Sequence, residues 1–142
     1  MAERFQVCML DGARQDFLEL DGSVRPLVQK QILKLKENAD IIGKELGNYH
    51  NVKLAGCREL KLREAGIRIV YQITDLKVEV LEIVLIVAIE KRHDFRVFKI
   101  ADRRLNQWKA LPAKEVQATI TKALDDFYQF GFDRRKEKKD QP

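Results

Sequence analysis

Lys61, Arg63 and Arg68 are the residues whose types and spacing point most directly to chemistry. They lie in 57–73, CRELKLREAGIRIVYQI, where charged and apolar residues alternate on either side of a short Gly66-containing turn. Period-two alternation marks strands with one wet face. Cations held on rigid strands suit a phosphodiester, because the backbone fixes where each charge stands. A third run, 78–89, is almost wholly apolar and stops abruptly at Glu90, Lys91, Arg92 and His93. That run reads as a strand covered on both faces. The expectation is a small sheet with basic side chains on its open face.

The hairpin register follows from arithmetic. With Ala65-Gly66 as a two-residue turn and Gly66 at positive φ, Arg63 faces Arg68, Lys61 faces Val70 and Glu59 faces Gln72. Leu60 and Leu62 then share the other face with Ile67, Ile69, Tyr71 and Ile73. A one-residue slip would bury Arg68 among leucines, which costs far more than it returns. Two arginines opposite each other repel, so their tolerance hints at an anion; solvated surface arginines are the plainer reading.

The rest of the chain must position these residues. It has 142 residues, enough for one domain with one core. With 45% hydrophobic and 35% charged residues it reads as a soluble globular protein. A net charge of +5 and a pI near 9.2 favour polyanionic partners. Cys8 and Cys57 are too few for a disulfide framework and lack metal-ligand spacing, so a reducing cytoplasm is expected. No signal peptide is evident, and the longest apolar run is far below a membrane span.

Along the chain, 4–10 reads as a first strand and 12–20 as a short helix. Asp21-Gly22 breaks it, and Ser23 is a good N-cap for an amphipathic helix over 24–42 with Val28, Ile32, Leu35 and Ala39 at helical spacing. Residues 47–56 read as a loop along the sheet edge. The three-strand meander follows, then a short helix over 93–105. Pro112 opens a last helix whose stripe is Val116, Ile120, Leu124 and Phe127. Residues 133–142, DRRKEKKDQP, read as a disordered charged tail.

The order strand, two helices, three-stranded antiparallel meander resembles the α+β fold of the RelE/ParE toxin superfamily. The likeness is specific at KLAGCRELKLREAGIRIVYQI and IEKRHDFRVFKIADRRL, which resemble blocks of RelE-type ribosome-dependent mRNA interferases. It covers roughly 4–105. The division expected is a RelE-like toxin domain over 1–105, a C-terminal helical extension over 106–132 and the tail beyond.

The resemblance implies a toxin of a type II toxin–antitoxin system that cuts mRNA in the ribosomal A site. It implies attack of the mRNA 2′-OH on the adjacent phosphorus, with no metal and no cofactor. The implied partners are a cognate antitoxin, mRNA and ribosomal RNA, but no membrane, in a homodimer or a toxin–antitoxin hetero-oligomer. Lys61, Arg68 and Arg92 match basic family positions and would carry the phosphorane charge. Arg58, Arg63, Lys91 and Phe98 would contact RNA.

Two positions depart. Glu59 stands where a RelE strand lysine is expected, and Phe98 where a tyrosine is. Phe98 would stack on a base but cannot move a proton. The YoeB-like branch uses a glutamate with a histidine, which would make Glu59 the base and His93 the acid. The alternatives are a ParE-like gyrase inhibitor acting by protein contact, and a degenerate toxin that binds but cuts poorly.

Overall fold

The computed structural model describes residues 3–49, 52–91 and 96–129. A five-stranded sheet has the order β1-β7-β6-β5-β2. Its strands are β1 (Phe5–Met9), β2 (Lys44–Glu45), β5 (Cys57–Leu62), β6 (Ile67–Val78) and β7 (Leu81–Lys91). β1 is parallel to β7, and the other pairings are antiparallel. β3 (Asn48–Tyr49) and β4 (Val52–Lys53) form a separate ribbon in the region read as a loop. The helices are α1 (Asp11–Leu18), α2 (Arg25–Asn38), α3 (Arg96–Lys109) and α4 (Ala113–Gln129).

Two cores flank the sheet. On one face Val7, Ile69, Tyr71 and Ile86 meet α1 and α2 through Phe17, Val28, Ile32 and Leu35. On the other, Val70, Leu85 and Val87 meet α3 through Val97, Phe98, Ala101 and Leu105. The open face expected from sequence is therefore mostly closed, and the charged residues of β5 and β6 stand at its rim. α4 touches both cores, with Ile120 and Ala123 in the α3 layer and Phe127 in the α1–α2 layer.

The alternation in β5 and β6 fixes the faces as expected, but the register is offset by two. Leu62 faces Ile67, Lys61 faces Arg68 and Glu59 faces Val70. The connection is a four-residue turn, 63–66, in which the Gly66 N–H donates to the Arg63 carbonyl at 3.2 Å. Gly66 takes φ +68°, as expected. An offset of two keeps every side chain on its face, so only the partners change. Arg68 meets Lys61 rather than Arg63.

One helix start also differs. α2 begins one residue later than Ser23 would set it, with Val24 as its N-cap and no side-chain cap bond. Asp21 accepts from the Ser23 N–H at 3.1 Å instead, an Asx turn that takes the place of a serine cap.

Val78 and Leu81 pair directly, leaving Glu79 and Val80 as a two-residue turn. Glu79 holds φ +57°, a conformation that costs a non-glycine residue about 1 kcal/mol. Glu79→Gly is expected to raise unfolding stability by up to about 1 kcal/mol. Urea denaturation checks this, and an unchanged or lower midpoint counts against strain at that turn.

Candidate functional site

Lys61 on β5 and Arg68 on β6 are direct cross-strand partners, so their side chains leave the same face side by side. Lys61 is half-buried and borders a groove of about 490 Å³ with Leu27, Lys30, Gln31 and Arg63. Arg63 is exposed in the turn. Three cations, Lys30, Lys61 and Arg63, thus line that groove, with Glu64 the only acid in its lining, while Arg68 stands beside Lys61 outside it.

Arg68 is held on two sides. Its Nε lies 3.5 Å from the Glu59 Oε1. Its guanidinium carbon lies 5.2 Å above the Phe98 ring centroid, a cation–π contact. Lys61 stands opposite it. Glu59 is only 5% exposed, although Lys61, two residues on and on the same face, is half-buried. Glu59 Oε1 and Arg68 Nε are buried with no hydrogen bond, so the pair is held by charge with imperfect geometry.

This placement corrects two expectations. Phe98 is 3% exposed and forms the floor beneath Arg68, so its ring is closed to a nucleobase. Its role here is to orient the guanidinium. Glu59 is buried against Arg68 rather than flanked by Lys61 and Arg63 at the surface, which sets it poorly for taking a 2′-OH proton.

Arg58 points the other way, as alternation requires. It donates to the Ile42 and Gly43 carbonyls, each at 3.4 Å, and to the Glu45 carboxylate at 3.2 Å. It fastens the chain leaving α2 to the sheet and does not join Lys61. Lys91 faces Ile67, not Arg68, and is exposed at the end of β7. Arg92 and His93 lie outside the described residues, as do His50 and the charged tail over 133–142.

Tyr71 is core, as its alternation implies. It is fully buried, and its hydroxyl lies 2.8 Å from the Ala39 carbonyl and 2.7 Å from that of Ile42. Burial raises its pKa, which removes it further from proton transfer. Burial likewise pushes the Cys8 thiol up to about 12 and the Cys57 thiol up to about 11. Neither is a thiolate nucleophile at neutral pH. Among the described residues no three His, Cys, Asp or Glu side chains stand together as metal ligands. No helix among them is long and apolar enough to cross a membrane.

Sequence reasoning missed a second charged group, at the Ile89 end of β7. Asp16 of α1 accepts from the Ile89 N–H at 3.0 Å and pairs with Arg104 of α3 at 2.7 Å. No motif announces it, because its partners are 73 and 88 residues away.

No family model matches the chain. It is 28% identical to a RelE-like toxin protein of Escherichia coli over 102 residues, 72% of this chain and 98% of that one. It is also 28% identical to the mRNA interferase toxin RelE of Escherichia coli K12 over 93 residues, 66% of this chain and 88% of the relative. Among solved structures, a doubly substituted Escherichia coli RelE toxin in the free state superposes with a TM-score of 0.54 at 21% identity, over 75% of this chain and 98% of that one. The RelBE2 toxin–antitoxin complex of Mycobacterium tuberculosis gives 0.51 at 23% identity, over 66% and 98%. Those two likenesses are of fold, and with the sequence relatives they make the chain similar to the RelE-type toxins in both fold and sequence.

Proposed function

We propose that the chain is the toxin of a type II toxin–antitoxin system, an endoribonuclease that cleaves mRNA on the translating ribosome. The observation that carries this reading is the Lys61–Arg68 pair, two cations side by side on adjacent strands at the open rim of the sheet. Its support from relatives is the likeness to a protein named mRNA interferase toxin RelE.

In the proposed reaction the mRNA 2′-oxygen attacks the adjacent phosphorus without a metal. Lys61 and Arg68 neutralise the charge that develops on the phosphorane oxygens, where a fixed cation does most to lower the barrier. Arg92 completes the cation set in this proposal, and Arg63 and Lys91 meet the RNA backbone. The partners proposed are an antitoxin that silences the toxin in a hetero-oligomer, and mRNA with the ribosomal RNA around it. The compartment is the cytoplasm, where those partners are.

Primer extension on one message, with and without programmed ribosomes, tests the proposal. The expected result is cuts within the coding region that require ribosomes. Intact message together with inhibited gyrase supercoiling would instead mark a toxin that acts by protein contact.

A further inference from the structure

The cross-strand row does not end at Arg68. Glu90 of β7 stands directly opposite it, so Lys61, Arg68 and Glu90 form one line of charged side chains across three strands. That line depends on a single irregularity. Tyr71 pairs with Ile86 but Val70 pairs with Ala88, so Val87 is an extra residue in β7. Continued without this bulge, the Tyr71–Ile86 register would set Ile89 opposite Arg68 and Glu90 opposite Ile67. The bulge re-aims Glu90 onto the face of the two cations, which is a recurrent use of bulges beside reactive sites.

The irregularity is fastened from outside the sheet. The Val87 carbonyl accepts from Arg104 Nη1 at 2.9 Å. Arg104 grips both Asp16 oxygens, at 2.7 and 3.2 Å, and Asp16 in turn accepts from the Ile89 N–H at 3.0 Å. Gly12 makes room for this arginine, since a Cβ there would lie 2.4 Å from its Nε.

Glu90 also lines a cleft of about 630 Å³ with Asp16, Glu19, Leu20, Lys91 and Arg96. Burial pushes its carboxyl above the usual carboxylate range. The charge of Asp16 and a hydrogen bond to it add to that shift, while Arg96 and Arg104 oppose it. The other charges around it are Glu19 of α1, Arg68 of β6 and Lys91 of its own strand. A carboxyl that keeps its proton longer than usual, beside cations suited to a phosphodiester, is equipped to give that proton away.

We propose that Glu90 is a catalytic residue of this chain, the general acid that protonates the leaving 5′-oxygen. The proposal rests on the endoribonuclease reading above. The 2′-oxygen bonds to phosphorus, and its proton passes to solvent water. The bond from phosphorus to the 5′-oxygen breaks, its electron pair stays on that oxygen, and the Glu90 carboxyl proton joins it. A cyclic phosphate and a 5′-OH remain, and the Glu90 carboxylate recovers a proton from water. Asp16 and Arg104 are positioning residues, since they act through Glu90, by holding the bulge and by bearing on its carboxyl. In this chain the acid thus comes from a strand, at a point where Phe98 cannot provide one.

Single-turnover cleavage on programmed ribosomes tests this with wild type, Glu90→Gln and Glu90→Asp. Two messages are compared, one ordinary and one with sulfur in place of the bridging 5′-oxygen at the cut site. Sulfur leaves without an acid. Glu90→Gln is expected to be slower by about a hundredfold on the ordinary message, and nearly equal to wild type on the sulfur message. The ratio of wild type to variant should also shrink as pH rises, because wild type loses its acid form. Glu90→Asp, which keeps a carboxyl, should fall between the two and serves if the glutamine variant does not fold. Should Glu90→Gln match wild type on both messages, or keep its full deficit on the sulfur message, Glu90 is not the acid while the endoribonuclease reading stands. Should folded wild type leave both messages intact on ribosomes, that reading fails and this proposal falls with it.

Discussion

Arg68→Ala is expected to lose at least about a hundredfold in cleavage rate, the scale for removing one donor to transition-state charge. It should also lose stability, which a purely surface arginine would not. Its guanidinium is the partner of Glu59, whose side chain is 5% exposed. Removing Arg68 strands that carboxylate in the α3 layer. Breaking a fully buried pair costs about 3–5 kcal/mol. Arg68 keeps 21% of its side chain exposed, so solvent screens part of the interaction and about 2–3 kcal/mol is the expected loss. The two effects separate in the double variant. Arg68→Ala with Glu59→Gln removes the stranded charge and should recover most of the stability while cleavage stays low. Lys61→Ala is the complement: its side chain has no ion pair within 4.0 Å among the described residues, so it should lose cleavage at nearly unchanged stability. Denaturant midpoints and single-turnover rates on ribosomes, measured on the same preparations, decide it. If Arg68→Ala is as stable as wild type, the Glu59 pairing carries no weight. If Arg68→Ala cuts normally, the site assignment is wrong.

The faces of the hairpin were legible because alternation survives an offset of two, and the partner of Arg68 was not, because the turn length alone sets it. Leu60 and Ile69 lie together under either register. The turn 63–66 closes on Arg63 rather than on Glu64, and nothing in the order Arg63-Glu64-Ala65-Gly66 distinguishes these closures. The bulge at Val87 was hidden for a different reason. Residues 83–89 are all apolar, so no polar side chain inside that run reports that the strand has changed parity. Glu90 is the first residue that does, and in sequence it reads only as the end of the strand. The closing of the second face was also out of reach. Val97, Phe98, Ala101 and Leu105 form a helical stripe that can be read from spacing, but which sheet face it covers is a tertiary choice. That choice put Phe98 under Arg68 and Glu59 out of solvent. The Asp16–Arg104 pair joins elements 88 residues apart, and local pattern carries no information at that range.

Truncation after Leu111 is expected to leave the protein insoluble or largely unfolded. α4 straddles the β1 edge of the sheet. Phe127 is fully buried in the α1–α2 layer, and Ile120 and Ala123 are buried in the α3 layer. Lys122 donates to Asp11 at 2.9 Å, and Arg14 lies 3.5 Å from Asp126, but these are exposed or half-exposed pairs and add little. The apolar contacts dominate: each fully buried large side chain contributes about 1.5–3 kcal/mol. Losing Phe127 and Ile120 together removes about 3–6 kcal/mol, a large part of the roughly 5–15 kcal/mol that holds a domain. Truncation also strips the cover from β1, whose open edge could then pair with another copy. The milder variant Phe127→Ala is expected to cost about 3–5 kcal/mol while the chain remains folded enough to measure. The effect should fall on stability more than on chemistry, because Lys61 and Arg68 stand on β5 and β6, three and two strands from β1, and Glu90 lies beyond the stretch of β7 that pairs with β1. At ~4.8 Å per strand, three steps set α4 well over 10 Å from the Lys61 end of the row. Denaturant unfolding of Phe127→Ala and sedimentation of the truncated chain are the measurements. A truncated chain that is soluble, monomeric and equally stable would mean that the stripe contributes nothing to the fold. One that is instead more toxic at equal expression would make α4 an inhibitory segment that acts on the site from across the sheet.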